Sequence, residues 1–111
     1  MHIPGSGDYA IGFHYPASYV RLSEGGLPDV APWAFLSFAF SVDYASRLKS
    51  RYPMRDLFPF ARRIDCDEIA CWEMDGGERV FVVHDFTRPG WEDCGWCEDF
   101  EDWLRTVRAI N

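Results

Sequence analysis

Apolar residues recur with two different periods along this 111-residue chain. Near the C-terminus, Phe100, Trp103, Leu104 and Val107 fall at i, i+3, i+4 and i+7, which predicts an amphipathic helix from about Glu98 to Ile110. Asp99, followed three residues later by Asp102, resembles a capping box with Asp in place of Glu. Upstream, "YPASYVRLSEGG" predicts a short helix with Pro16 in its first turn and Gly25-Gly26 as its stop. "LPDVAPW" reads as a loop broken by Pro28 and Pro32. "SVDYASRLKSRYP" predicts a second helix, capped by Ser41, with Tyr44 and Leu48 on one face and Pro53 at its close.

The middle of the chain has a different period. "LFPFARRI" predicts a strand that Pro59 confines to a sheet edge or a bulge. "DEIACWEM" alternates, with Ile69 and Cys71 on one face and Ala70 and Trp72 on the other. "DGGE" is a turn signal, and "RVFVVHDF" is a strand apolar enough to be buried on both faces. Strands joined by tight turns pair antiparallel. The expected architecture is one α+β domain over residues 1–111, an antiparallel meander flanked by N-terminal helices and a C-terminal amphipathic helix. The helices are expected on one sheet face, and residues 1–14 as a mobile segment.

Composition supports a packed core. Apolar residues make up 48% and aromatics 17%, enough to offset the ordering entropy that keeps polar chains disordered. No apolar run approaches the roughly 18 residues of a membrane span. The start "MHIPGSGDYA" has neither a cationic nor an apolar secretion signal, so a cytoplasmic protein is expected. In that compartment cysteines are free thiols or metal ligands more often than disulfides.

Charge is uneven. Residues 1–55 carry four acids and five bases, whereas residues 56–111 carry fourteen acids and six bases. Six acids and no base fall within 92–102: Glu92, Asp93, Glu98, Asp99, Glu101 and Asp102. Such a surface repels phosphate backbones, which argues against a nucleic-acid partner, and steers basic proteins toward it. The competing reading is a solvated acidic helix start, where acids meet the positive end of the dipole.

The four cysteines leave two chemistries open. Cys94 and Cys97 form a Cys-x-x-Cys pair ahead of a helix, but the surrounding acids oppose a lowered thiol pKa and no later strand completes a thioredoxin-like sheet. Cys66, Cys71, Cys94 and Cys97 together would suffice for a tetrahedral zinc site, although Cys71 lies within a strand and also suits a small buried hydrophobe. His2 and His14 sit in the N-terminal stretch. His84 precedes Asp85 on a strand, so the two side chains point to opposite faces and form no relay, and His84 reads as a satisfied core histidine. No nucleophile elbow, phosphate loop, dinucleotide fingerprint or HExxH motif occurs, and no carboxylate stands out as buried beside a partner. No catalytic residue, cofactor or enzyme activity is expected.

Several separated motifs occur together: "PFARR.D.D.IACW" from Pro59 to Trp72, "V.VVHDF..PGWE" from Val80 to Glu92, "FEDWL" from Phe100 to Leu104, and the upstream "YPASYVRLSEGGLPDVAPWAFL". In this order they resemble the SUKH superfamily, which includes the yeast cell-wall assembly regulator and many bacterial immunity proteins. The resemblance spans residues 15 to 108. It implies a binding module, and places Cys94 and Cys97 in a loop that varies among look-alikes. Bacterial members commonly neutralise polymorphic or contact-dependent toxins by direct binding, and many such toxins are basic nucleases. The resemblance therefore implies an immunity protein that occludes a toxin effector domain, with a regulatory adaptor of the same fold as the alternative. The expected partner-binding residues are Glu92, Asp93, Trp96, Glu98, Asp99 and Asp102. Trp96 is expected to be exposed as an interface anchor, and Trp91 to pack the last helix onto the sheet.

Overall fold

The computed structural model describes residues 15–74, 77–88 and 90–110. The 1–14 stretch with His2 and His14, and Asp75-Gly76 of the expected turn, lie outside the described residues. Three helices and five strands follow in the order α1 (Ala17–Glu24), β1 (Trp33–Phe35), α2 (Phe38–Arg51), β2 (Leu57–Arg63), β3 (Glu68–Glu73), β4 (Val80–His84), β5 (Asp93–Cys97) and α3 (Phe100–Ile110).

Local chemistry sets the helix ends. The Pro16 carbonyl accepts from the Tyr19 and Val20 amides at 3.0 and 3.1 Å, and α1 stops at Gly25 and Gly26, the latter at φ 94°. The second helix begins a turn earlier than its polar pattern suggested. Ser37, not Ser41, is its cap, accepting from the Phe40 amide at 3.2 Å. Ser41 is buried inside the helix, and the apolar "FAF" before it forms the first turn. At the other end the Tyr52 amide donates to the Leu48 carbonyl at 2.7 Å, and Pro53 follows. In α3, Asp99 Oδ1 accepts from the Asp102 amide at 2.8 Å, while Asp102 Oδ2 accepts from the Glu98 amide at 3.2 Å. The expected capping box is present, with its return bond one residue earlier than the standard pattern.

The strands form one antiparallel sheet in the order β1-β2-β3-β4-β5, a meander in which chain neighbours are sheet neighbours. Pro59 pairs with Cys71, and the next paired residue is Ala61 with Ala70, so a bulge falls beside the proline as expected. β2 is nonetheless an inner strand. β1 pairs only with Ala61, Arg62 and Arg63, so the missing Pro59 amide interrupts no β1–β2 bond. Two strands were not expected: β1, inside the Pro-rich stretch, and β5, inside the stretch read as a loop.

Helices cover both faces of the sheet, not one. On the first face Tyr19 of α1 and Phe100, Trp103, Leu104 and Val107 of α3 bury Phe58, Phe60, Ala70, Trp72 and Val80. Phe60 and Trp72 stack at 4.2 Å, and the Trp103 ring meets Phe60 edge-on at 4.9 Å. On the second face Leu48 and Tyr52, from the end of α2, meet Leu57, Ile69, Cys71 and Val83. The cause lies in β3, where Ile69-Cys71 and Ala70-Trp72 make both faces apolar and all four residues are buried. β4 is less enclosed than its sequence suggested, since Val80 and Val83 are buried but Phe81, Val82 and His84 only half so. No helix among the described residues is long and apolar enough to cross a membrane.

Candidate binding surface

β5 is a sheet edge. Its sequence, Asp93-Cys94-Gly95-Trp96-Cys97, pairs with β4 alone, and its residues are exposed except for the half-buried Cys97. Its pairing with β4 skips between Val82 and Val83, leaving Cys94 without an opposite residue, and Gly95 takes φ 129°, a conformation that strains any side chain. Trp96 sits opposite Phe81 and so faces the same side of the sheet. It is 51% exposed, with the Arg79 guanidinium 4.4 Å from its ring centre. On the same face the Arg55 guanidinium lies 5.5 Å from the Phe81 ring centre. Trp91 is 74% exposed, so it does not pack the last helix onto the sheet. The Trp91 amide donates to the Arg88 carbonyl at 2.9 Å in a turn that carries the ring away from the core.

The expected acidic cluster divides by role. Glu92 is buried, 6% exposed, and accepts from Arg55 at 3.0 Å and from the Gly90 amide at 2.7 Å. Burial opposes its charge, but the backbone donors and the Arg55 guanidinium outweigh that and hold its carboxyl below the usual range. It is a structural ion pair rather than a docking charge. Asp99 and Asp102 cap α3, and Asp102 also takes a bond from Arg105 at 3.4 Å. Asp93 is exposed while sharing Arg55 at 3.0 Å, and Glu98 is exposed. Of the six residues expected to bind a partner, Trp96 and Glu98 therefore present free surface at β5 and just beyond it, and Asp93 is exposed beside them while paired with Arg55.

The cysteines do not converge. Cys71 is buried between Leu48, Tyr52, Ile69 and Val83 on the α2 face, whereas Cys97 packs on the aromatic face. The sheet separates them, so the four-thiol zinc site is corrected, and no metal-ligand cluster occurs among the described residues. Burial pushes the Cys71 thiol well up. The Cys94 thiol is raised by burial and by Glu68 and Asp93, and the Cys97 thiol by burial and Asp102. Raised values are the opposite of what a thioredoxin-like nucleophile needs.

Two buried carboxylates escaped the sequence reading. Besides Glu92, Asp85 is buried and forms a two-pronged pair with Arg51, at 2.8 Å to Nε and 2.6 Å to Nη2. It also accepts from the Tyr44 hydroxyl at 2.7 Å and the Phe86 amide at 2.8 Å. Burial works against its charge, yet Arg51, Tyr44 and the Phe86 amide keep its carboxyl below the ordinary range. The signal lay in the sequence as "HDF" closing an apolar strand, but the partners stand 34 and 41 residues earlier. His84 does not share this network. It is half-buried and its Nδ1 meets no partner among the described residues, so it is not the satisfied histidine expected. Comparison of the chain with protein-family models, with curated proteins and with solved structures finds no match.

Proposed function

We propose that this chain is a non-catalytic protein-binding module of the cytoplasm that docks through the free edge of β5. On this reading it is an immunity protein of the SUKH kind, which neutralises a basic toxin effector domain by covering it. The observation that carries the docking site is Trp96, half in water on an edge strand and braced by Arg79. A large rigid aromatic ring at low ordering cost is the commonest anchor of protein interfaces. An unpaired strand edge offers a partner main-chain hydrogen bonds beside it. Asp93 and Glu98 flank the ring with the charge that would guide a cationic partner in. The toxin identity rests on the motif resemblance alone.

Co-expression with the protein encoded directly upstream tests the proposal. The two should co-purify, and the chain should rescue growth from its neighbour's toxicity. Trp96→Ala should weaken the complex at least about tenfold, as central interface tryptophans do, while the chain stays folded. Co-purification unaffected by Trp96→Ala would move the interface elsewhere. No complex and no rescue would remove the immunity reading.

A further inference from the structure

A groove of about 250 Å³ lies between α2 and the β2–β3 turn, with Phe40 and Phe86 among its walls. Phe40 is 47% exposed and Phe86 66%. Phe86 has φ 61°, the left-handed region that costs a bulky residue free energy. The surrounding turn holds it there. Its amide donates to Asp85, the Thr87 amide donates to the Tyr52 hydroxyl at 3.1 Å, and Thr87 Oγ1 donates to the His84 carbonyl at 2.9 Å. The Arg51 guanidinium, paired below with Asp85, lies 4.5 Å from the Phe86 ring centre. A buried ion pair and a tyrosine thus maintain a strained backbone whose side chain ends largely in water. Strain kept by its surroundings around a ring that stays two-thirds exposed is a mark of a working site.

Charge and size narrow the occupant. Arg62 lines the groove, is exposed, and has no ion-pair partner among the described residues; its guanidinium lies 6.0 Å from the Phe40 ring centre. Among the described residues Arg47 is tied only to Asp43, in an exposed pair at 2.8 Å of the kind that contributes little. Arg63 is already held by Asp65 and Glu68. Asp67 and Glu68 also line the groove, so it suits one anionic group rather than a run of them. Sites for drug-sized ligands and cofactors span roughly 300–1,000 Å³. This groove is below that range and matches a side chain or two of a protein.

We propose that the groove receives, from a protein partner, an apolar side chain adjoining a single carboxylate, the side chain resting against Phe40 and Phe86 and the carboxylate on Arg62 and Arg47. The site is distinct from the β5 edge and does not depend on it.

Amide-resolved NMR titration of the intact chain tests this with two matched probes, N-acetyl-phenylalaninate and its uncharged amide. The carboxylate probe should shift the Arg62, Arg63, Phe86 and Thr87 amides saturably, with a Kd on the order of 1 mM. The amide should bind at least about fivefold more weakly, and Arg62→Gln should erase that preference. Phe86→Gly relieves the backbone while removing the ring. It should leave Tm unchanged or higher, yet weaken the probe at least about fivefold. Trp96→Ala should leave the titration unaltered, so failure here and failure at β5 read separately. The proposal is overturned by equal affinity for both probes, by no saturable shift at these amides, or by full binding to the Phe86→Gly chain. Tighter binding of adenosine monophosphate would overturn it in favour of a nucleotide. Concentration-dependent broadening of the same amides without probe would overturn it in favour of a second copy.

Discussion

Asp85 ties α2 to the turn after β4 through one carboxylate, which takes Tyr44 and Arg51 from the helix and the Phe86 amide from the turn. Asp85→Asn leaves Arg51 facing a neutral amide, and should lower stability at pH 7 by about 2–3 kcal/mol, the usual range for a charge-assisted pair. The folded carboxyl lies below its ordinary value of 3.8, so its contribution is present in full above that value and is lost as pH falls through the folded pKa. Denaturant unfolding at pH 7 and at pH 3 should therefore show a smaller gap between native chain and variant at the lower pH. An equal gap would show that the charge is not what stabilises. Thiol chemistry gives a second residue-scale prediction. Exposed Cys66 and Cys94 should react with a disulfide reagent in the native state, and buried Cys71 only after unfolding. Prompt reaction at Cys71 would show that α2 lifts from the sheet.

Elements differ in how plainly the sequence announced them. α3 was legible because Phe100, Trp103, Leu104 and Val107 keep one helical stripe and every member is buried. β3 and β4 were legible from their apolar runs, and Pro59 correctly marked a bulge. β5 was not, since an edge strand paired on one side needs few β-formers, and Asp93, Gly95 and the cysteines supply none. β1 is three residues long and follows a proline, which leaves too little pattern to read. The proposed docking site shared this fate. Trp96 was recognisable as exposed, but the division of the acids was not, because capping and pairing by Asp99, Asp102 and Glu92 depend on residues set by the fold. Paired substitutions separate the two roles of tryptophan. Trp103→Ala should cost about 3–5 kcal/mol, the usual range for an aromatic lost from a core. Trp96→Ala should cost less than about 1 kcal/mol, as exposed positions do. Thermal and denaturant unfolding check both, and a large loss at Trp96 would make β5 a structural strand.

For the whole molecule, a formal charge of −7 overstates the acid available to a partner. With Glu92 buried in its pair and Asp99 and Asp102 capping, steering should depend on Glu98 and on Asp93, whose carboxylate stays in water although it shares Arg55. Reversing both to Lys should slow association with the proposed basic partner about tenfold at low salt and little at high salt. Stopped-flow mixing across ionic strength reads this, and a rate unchanged at low salt would dismiss electrostatic guidance. The same reversal at Glu92 should instead unsettle the fold. The meander also has a consequence for a chain made from its N-terminus onward. All five strands emerge before α3, yet α3 supplies Phe100, Trp103, Leu104 and Val107 to the aromatic face. Until it arrives, Phe60, Trp72 and Val80 are covered only in part, by Tyr19 of α1, on a sheet with an open edge, so the nascent chain exposes apolar surface until α3 docks. A premature stop at Asp99 should therefore yield aggregates rather than a smaller working protein.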